Sequence, residues 1–523
     1  MAFKVGIISA ATTAAFIISS YAIADSNSGG VTPESGKLIS KINNIDLAAT
    51  KAQPAKPQGI DFLNSDAPFK IEGKIGDHNA DIQFYGIVDI GGASVNHSLH
   101  PNQSLPNSIN PYSYDAAGGS SKLAHSQQVW IQGGLQDSRF GLKGGVDLFK
   151  FADHNLRFIY QLEAGFNPLT GELNDAAKSL SDASFNNKKT TYGDSSLNGN
   201  LFARQAWAGV DGGKLGKITY GIQYNPFYDI TGAYDPNRKA DSFSPLGESG
   251  AIGGGGGVSE NARMKNSLKY TNSFDAPMAG KVNVTGMYQF GNDVNTDSGR
   301  GYAAQVGYEN ELFGIQTAYN NFEDTVKVDA TTQAQALAGT PLKAGLYNTQ
   351  AWILAAKITP NKEVKFSGGY QWIQLNQPSD TPISYGHIFS NRILGGVASN
   401  LNNSSKSITG GSNGGDHQNI DFWWLGGEYD FAKRFPVLTG LTLSGAYYYT
   451  KFDPLSGISP KGIAGVPGKD FHIGTETVIL DYKINKRFDV YGAATWNQFR
   501  GTFVKTMTYS NINAYGVGVR LKF

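Results

Sequence analysis

From Ile82 to the end of the chain, apolar and polar residues alternate in short runs separated by turn-rich breaks. In Asn155–Phe166, one parity carries Phe158, Tyr160, Leu162, Ala164 and Phe166. The other carries Arg157, Gln161 and Glu163, with Ile159 as the exception. Successive side chains of a strand point to opposite faces, so this run predicts a strand with one apolar and one polar face. The last run repeats the pattern: Tyr515, Val517, Val519, Leu521 and Phe523 alternate with Gly516, Gly518, Arg520 and Lys522. Such strands suit hydrocarbon on one side and water on the other. They equally suit a half-buried soluble sheet. The connections decide between the two. Short turns fall near Phe149–His154, Gly212–Gly216, Asp275–Gly280, Glu311–Phe313, Pro360–Lys362, Ala432–Thr439 and Asn485–Lys486. They alternate with long polar loops near His97–Gln128, Asn167–Asn200, Asn225–Asn261, Asn321–Tyr347, Leu375–Gln418 and Asp453–His472. Long loops on one rim and short turns on the other belong to transmembrane barrels, and soluble domains rarely carry so many unstructured connections. The segments number about sixteen, an even count as single-chain barrels favour, and a barrel of that size keeps an aqueous lumen. The predicted fold is all-β, a sixteen-stranded antiparallel transmembrane β-barrel.

The N-terminus reads differently. Lys4 precedes the apolar run Val5–Ile18, and Ala22-Ile-Ala24 offers small residues at a cleavage site, which predicts a signal peptide over residues 1–24. No later stretch reaches the ~18 apolar residues of a spanning helix. Residues 25–80 are rich in Ser, Gly, Lys and Pro, and Leu38, Ile42 and Ile45 allow one short amphipathic helix. This segment is expected to be a flexible periplasmic extension; sharper readings are a peptidoglycan contact or a segment tucked into the barrel mouth. The barrel is expected over residues 81–523.

The stretch around which the rest is organised runs from Leu201 to Tyr270. Leu201–Val210 and Lys217–Tyr224 read as strands joined by the turn Gly212–Gly216, and Ala262–Tyr270 reads as a third strand after a long loop. The loop carries Asp229, Asp235, Asp241, Glu248 and Glu260, while the strands carry Arg204, Arg263, Lys265 and Lys269. An acidic loop between basic strands makes sense when it folds into the tube the strands build. Arg204-Gln-Ala-Trp-Ala-Gly-Val210, Lys217-Ile-Thr-Tyr-Gly-Ile-Gln-Tyr224, Phe84-Tyr-Gly-Ile-Val-Asp89, Ser138-Arg-Phe-Gly-Leu-Lys-Gly144 and Phe158-Ile-Tyr-Gln-Leu-Glu-Ala-Gly-Phe166 stand in order before the terminal Tyr515–Phe523. In these motifs the chain resembles the general bacterial porins of beta-proteobacterial type. The resemblance implies a Gram-negative outer-membrane barrel, usually a homotrimer, with its third extracellular loop, here about residues 225–261, folded into the pore. It also implies that Tyr515 and Phe523 form the signal read by the barrel-assembly machinery, and that outer-membrane lipid and lipopolysaccharide surround the barrel.

Parity then places the chemistry. Phe140 and Leu142 outside put Arg139 and Lys143 inside; Trp207, taken with Leu201 as outward, puts Arg204 inside; Met264, Leu268 and Tyr270 outside put Arg263, Lys265 and Lys269 inside. The expected constriction is a basic wall of Arg139, Lys143, Arg204, Arg263 and Lys265 facing an acidic loop of Asp229, Asp235, Asp241 and Glu248. The family's other frequent basic position falls on Ile87, which argues against strong anion preference. Unit charges about 4 Å apart interact by ~1 kcal/mol in water and ~4 at an effective dielectric of 20, and salt screens over ~8 Å. A few-fold preference between ions follows, not a strict filter.

Composition changes this picture little. Glycine supplies 65 of 523 residues, above the usual ~7%, as tight turns require. The chain has 44 Lys and Arg against 43 Asp and Glu, and Lys4 leaves with the signal, so selectivity must come from placement; no nucleic-acid footprint appears. There are no cysteines, which excludes disulfides, iron–sulfur clusters and thiol nucleophiles. His97-Ser-Leu-His100 lies in a polar loop without a carboxylate nearby, no hydrolase elbow or zinc-protease motif stands out, and the Gly253–Gly257 run lacks the Lys-Ser/Thr of a phosphate loop. No enzyme, metal or cofactor is expected. The expected function is passive diffusion of ions and small hydrophilic solutes. A channel selective for a sugar, an aromatic acid or phosphate is the alternative, with Trp372, Trp423 and Trp424 as a track rather than girdle anchors; an adhesin is the more distant one.

Overall fold

The computed structural model describes residues 69–98, 125–151, 153–169, 171, 173, 201–202, 204–247, 263–291, 300–328, 342–376, 417–432, 434–452, 471–501 and 511–523. Nearly all of them are strand: β1 (Lys70–Ile75), β2 (His78–Ser98), β3 (His125–Gln132), β4 (Arg139–Phe151), β5 (His154–Gly165), β6 (Gln205–Asp211), β7 (Lys217–Tyr224), β8 (Arg263–Ala276) and β9 (Gly280–Gln289). The second half adds β10 (Gly301–Glu309), β11 (Phe313–Val328), β12 (Leu342–Ile358), β13 (Val364–Asn376), β14 (His417–Asp430), β15 (Leu441–Phe452), β16 (Phe471–Lys483), β17 (Phe488–Gly501) and β18 (Asn511–Lys522). Each strand from β4 to β18 pairs antiparallel with the next, and β18 returns to β2, from Ala514↔Val95 to Lys522↔Ile87. Closure leaves no edge to be satisfied in hydrocarbon.

The ring is a closed sixteen-stranded antiparallel barrel. Eighteen segments make sixteen strands because two pairs lie end to end along β2. On one edge β3 pairs from Ile90↔Gln132 upward and β4 from Ile87↔Arg139 downward. The expected single strand Val129–Leu148 is therefore broken, and residues 133–138 leave the wall. On the other edge β18 stops and β1 takes over, from Lys70↔Gln83 to Ile75↔His78. The first expected barrel strand, Asp81–Asn96, is seen over His78–Ser98, and β1 falls inside the stretch read as an extension.

The faces follow parity. Outside lie Phe158, Tyr160 and Leu162 of β5, Val146 and Leu142 of β4, and Tyr515, Val517 and Val519 of β18, with Val517 67% exposed. A shell of exposed apolar residues is unstable in water and suits lipid. Trp423 lies 5.4 Å from Tyr447 and 5.5 Å from Tyr449 on this outer face, an aromatic belt toward the long-loop rim. Trp372 shares the outward parity of Phe366 and Tyr370. Trp424 points inward, so the three tryptophans form no common track.

Candidate functional site: a lumen narrowed by an arm

The connection from β7 to β8 turns into the barrel as an arm, described to residue 247. It opens with a helix, α1 (Pro226–Tyr234), where the sequence pattern predicts loop. The signals were present: Asn225 caps it, its Oδ1 accepting from Tyr228 N at 2.9 Å, and Pro226 occupies the first helical position. Asp229 in the first turn favours the helix dipole. Phe227, Ile230 and Tyr234 form a fully buried stripe, turned toward β10–β13.

Beyond the helix, Asp235 is a hub. Its carboxylate accepts from Asn237 N (3.1 Å), Lys239 N (2.9 Å), Ser244 Oγ (2.7 Å) and Tyr448 Oη of β15 (2.6 Å). Burial pushes its carboxyl up from the ordinary aspartate range, against the pull of these donors. Further fastenings run around the wall. Trp424 Nε1 donates to Tyr234 O (3.0 Å), Arg238 pairs with Glu428, and Asn237 donates to Tyr448 Oη (3.0 Å). Thr477 Oγ1 donates to Phe243 O (2.8 Å), and Asp241 N donates to Leu135 O (3.2 Å). The arm thus lies against the inner face from β10 round to the break between β3 and β4. Opposite it stands the inner face of β4–β8.

The expected basic residues do lie on that side, in unequal situations. Arg204 precedes β6 and is 1% exposed: Nε donates to Glu163 Oε1, Nη1 to Asp137 Oδ2 and Nη2 to Tyr224 Oη, each at 2.9 Å. Arg139 Nε lies 3.7 Å from Glu163 Oε2. Lys143 is exposed, 5.2 Å from the centroid of the Tyr85 ring. Arg263 lies over Tyr224, at 5.1 Å, and that ring stacks on Tyr228 at 3.8 Å. Lys269 pairs with Asp229 at 2.8 Å. Lys265 is half-buried beside a bulge at Asn266, where φ is 48°.

Two parities need correction. Trp207 faces inward: it opposes Gln161, and its Nε1 donates to Gln205 Oε1 at 3.1 Å, while Ala206, Ala208 and Val210 face out. Arg204 reaches the interior because it lies before the strand, not through the strand's parity. Met264 also faces inward, buried against Met287 and Ala303, where the bulge breaks the strand's alternation.

Of the loop acids, Asp235 and Asp241 are buried against the wall, Asp229 is 45% exposed in its ion pair, and Glu248 lies outside the described residues. The partners Asp137, Glu163, Tyr224 and Tyr448 were missed. Glu163 and Tyr448 sit at inward parity; Asp137 lies in the strand break and carried no signal.

At the chain's end, Phe523 and Gly86 exchange backbone hydrogen bonds at 2.8 and 3.0 Å, and the Phe523 ring packs on Phe84 (5.5 Å) and Phe69 (6.3 Å). A Cβ on Gly86 would lie 2.3 Å from that ring. Tyr515 faces outward and accepts from Trp496 Nε1 at 3.0 Å.

A closed barrel with an apolar exterior and a polar interior narrowed by its own arm is a transmembrane pore. A match to the Gram-negative porins spans residues 11–502, and the chain belongs to that family. It is 25% identical over 360 residues to an outer membrane porin protein of Bordetella pertussis, covering 62% of this chain and 80% of that one. Its fold is similar to that of an anion-selective porin from Comamonas acidovorans, with a TM-score of 0.51 and 16% identity over 85% of this chain and all of that one. The chain is an outer-membrane porin of Gram-negative type; family and fold are those of channels.

Proposed function

We propose that ions and small hydrophilic solutes pass by diffusion, without catalysis, through the gap between the arm and the inner face of β4–β8, with a weak preference for anions. The observation that carries this reading is the unequal fate of the charges. Asp235 and Asp241 are turned into the wall. Arg204 is enclosed by two carboxylates. Lys143 stands exposed at inward parity over a tyrosine ring. Charges acting through screened water support a roughly two- to five-fold permeability ratio. Arg139, Lys143, Arg263 and Lys265 are the proposed pore-side cations, and Asp229 the proposed loop acid of the constriction; Arg204, Asp235 and Asp241 hold it in shape. The reversal potential across a planar bilayer under a salt gradient tests this. Wild type should favour anions and Lys143→Glu should move the potential toward cations; a Lys143→Glu pore with wild-type selectivity would refute the assignment.

The chain is proposed to work as a homotrimer. Support comes from a groove of about 770 Å³ on the outer face of β2, β3 and β16–β18, lined by Trp130, Val478, Leu480, Tyr515 and Val517 around small residues such as Gly92. Trp130 is 71% exposed there. Residues 1–24 are proposed as a removed signal, residues 25–80 as a periplasmic extension ending in β1, and Tyr515 and Phe523 as the assembly signal, in contact with the assembly machinery before lipid and lipopolysaccharide enclose the barrel.

A further inference from the structure

Asp89 sits in the middle of β2, fully buried on the inner face. Opposite it the wall is interrupted. Between the pairs Ile87↔Arg139 and Ile90↔Gln132, only two residues of β2 face residues 133–138. The surplus chain folds inward as a shelf. Gly133 turns with φ 79°, and a Cβ on Gly134 would lie 2.0 Å from Tyr491 Oη, so the shelf begins with two residues that need no side chain.

Asp89 fastens this shelf. Its Oδ1 accepts from Gly134 N (3.1 Å) and from Tyr491 Oη (2.7 Å), and its Oδ2 from Leu135 N (3.0 Å) and Gln136 N (2.9 Å). Ser138 Oγ accepts from Asp89 N at 2.9 Å. The carbonyls of the same peptides hold the arm. Gly133 O accepts from Ser242 Oγ (2.7 Å), Gly134 O from Ser242 N (3.1 Å) and Leu135 O from Asp241 N (3.2 Å). The N–H groups of the shelf point to Asp89 and its C=O groups to the arm.

We propose that Asp89 is a positioning residue of the constriction: through the shelf at 133–136 it fixes the far end of the arm and so sets the width of the pore. This rests on the reading that the arm narrows the pore. A neutral replacement of the same shape cannot reproduce it, because four donors converge on two oxygens. An amide presents one acceptor and adds two donors where N–H groups already point.

The experiment uses Asp89→Ala and Asp89→Asn in the full chain, each with and without Ala240→Cys. Ala240 lies on the arm, 1% exposed, and the chain has no natural cysteine, so the thiol reports whether the arm has left the wall. Folding is established first by heat-modified gel migration. Losing the shelf's anchor should raise maleimide labelling at position 240 about tenfold. Single-channel conductance should rise and become noisier, more in Asp89→Ala than in Asp89→Asn. In a Ser242→Ala background, whose arm has already lost contacts to the shelf, Asp89→Ala should add little. A folded Asp89→Asn barrel with wild-type labelling and conductance overturns the proposal even where Asp89→Ala does not fold. Faster labelling with unchanged conductance overturns it through its premise, showing that the arm is held by Asp89 but is not the narrowest part.

Discussion

Arg204→Ala separates a cation that shapes the pore from one that fills it. The guanidinium makes three directed contacts at 2.9 Å, to Glu163, Asp137 and Tyr224, with essentially no water of its own. Its removal takes the shared cation from Glu163 and Asp137, 3% and 9% exposed, and leaves Glu163 with the more distant Arg139 at 3.7 Å. Breaking a buried pair by deleting one partner costs about 3–5 kcal/mol, and here two carboxylates lose the same partner. Arg204→Lys keeps the charge and gives up the planar fork; about 1.5–3 kcal/mol is expected from the contacts a single ammonium cannot make. The assay is urea unfolding of detergent-folded protein followed by tryptophan emission, with the reversal potential measured on the same preparations. Stability should fall in the order wild type, Arg204→Lys, Arg204→Ala, while the reversal potential of the surviving channels stays near wild type. An Arg204→Ala protein as stable as wild type, with permeability shifted toward cations, would show that the arginine's charge acts on passing ions.

Three further outcomes follow from other contacts. Tyr448→Phe removes one of four donors to Asp235 and the acceptor of Asn237 Nδ2 in a buried site; a loss of about 1–3 kcal/mol is expected, read as a lower unfolding midpoint and noisier single-channel current, and an unchanged midpoint would show that the hub does not depend on β15. Gly86→Val places a side chain where the Phe523 ring sits, 2.3 Å from a Cβ. Overpacking of this kind costs about 1–3 kcal/mol, and the refolded fraction should fall as it does for Phe523→Ala. Trp130→Arg puts a charge into the outer groove; unboiled gels should show monomer replacing trimer, with channel activity per barrel retained.

Alternation was enough to recover the barrel because a sheet between lipid and water satisfies two solvents with one period. The same rule failed wherever the period slipped. The positive φ at Asn266 inserts one residue and turns Met264 inward. The break at 133–138 is not singled out by hydropathy, since Leu135 keeps an apolar residue between Gly133-Gly134 and Gln136-Asp137-Ser138. Arg204 was put inside for a wrong reason, one residue before its strand begins. The helix α1 carried a readable start, Asn225-Pro226, but its apolar stripe packs on strands far along the sequence, which local pattern does not reveal. Asp89 and Tyr491 lie 402 residues apart and are brought together by closure, whereas Asp235 meets Tyr448, 213 residues away, because the arm reaches across to β15.

Inward parity is also not the same as exposure to the pore. In a barrel this wide, an infolded arm divides the inner face into a covered sector, from β10 round to β3, and an open one. A carboxylate in the covered sector loses its hydration, which costs several kcal/mol unless hydrogen bonds replace it. Asp235 receives four donors and Asp89 four, whereas Lys143 in the open sector has only a ring beside it. A carboxylate gathers several donors at one point, so acids are the residues suited to fasten an arm whose backbone N–H groups lack strand partners. The chain carries nearly equal numbers of acids and bases. On the proposed reading, committing acids to the fastening leaves the open sector with the opposite sign, and selectivity would then follow from which charges the fold has already used.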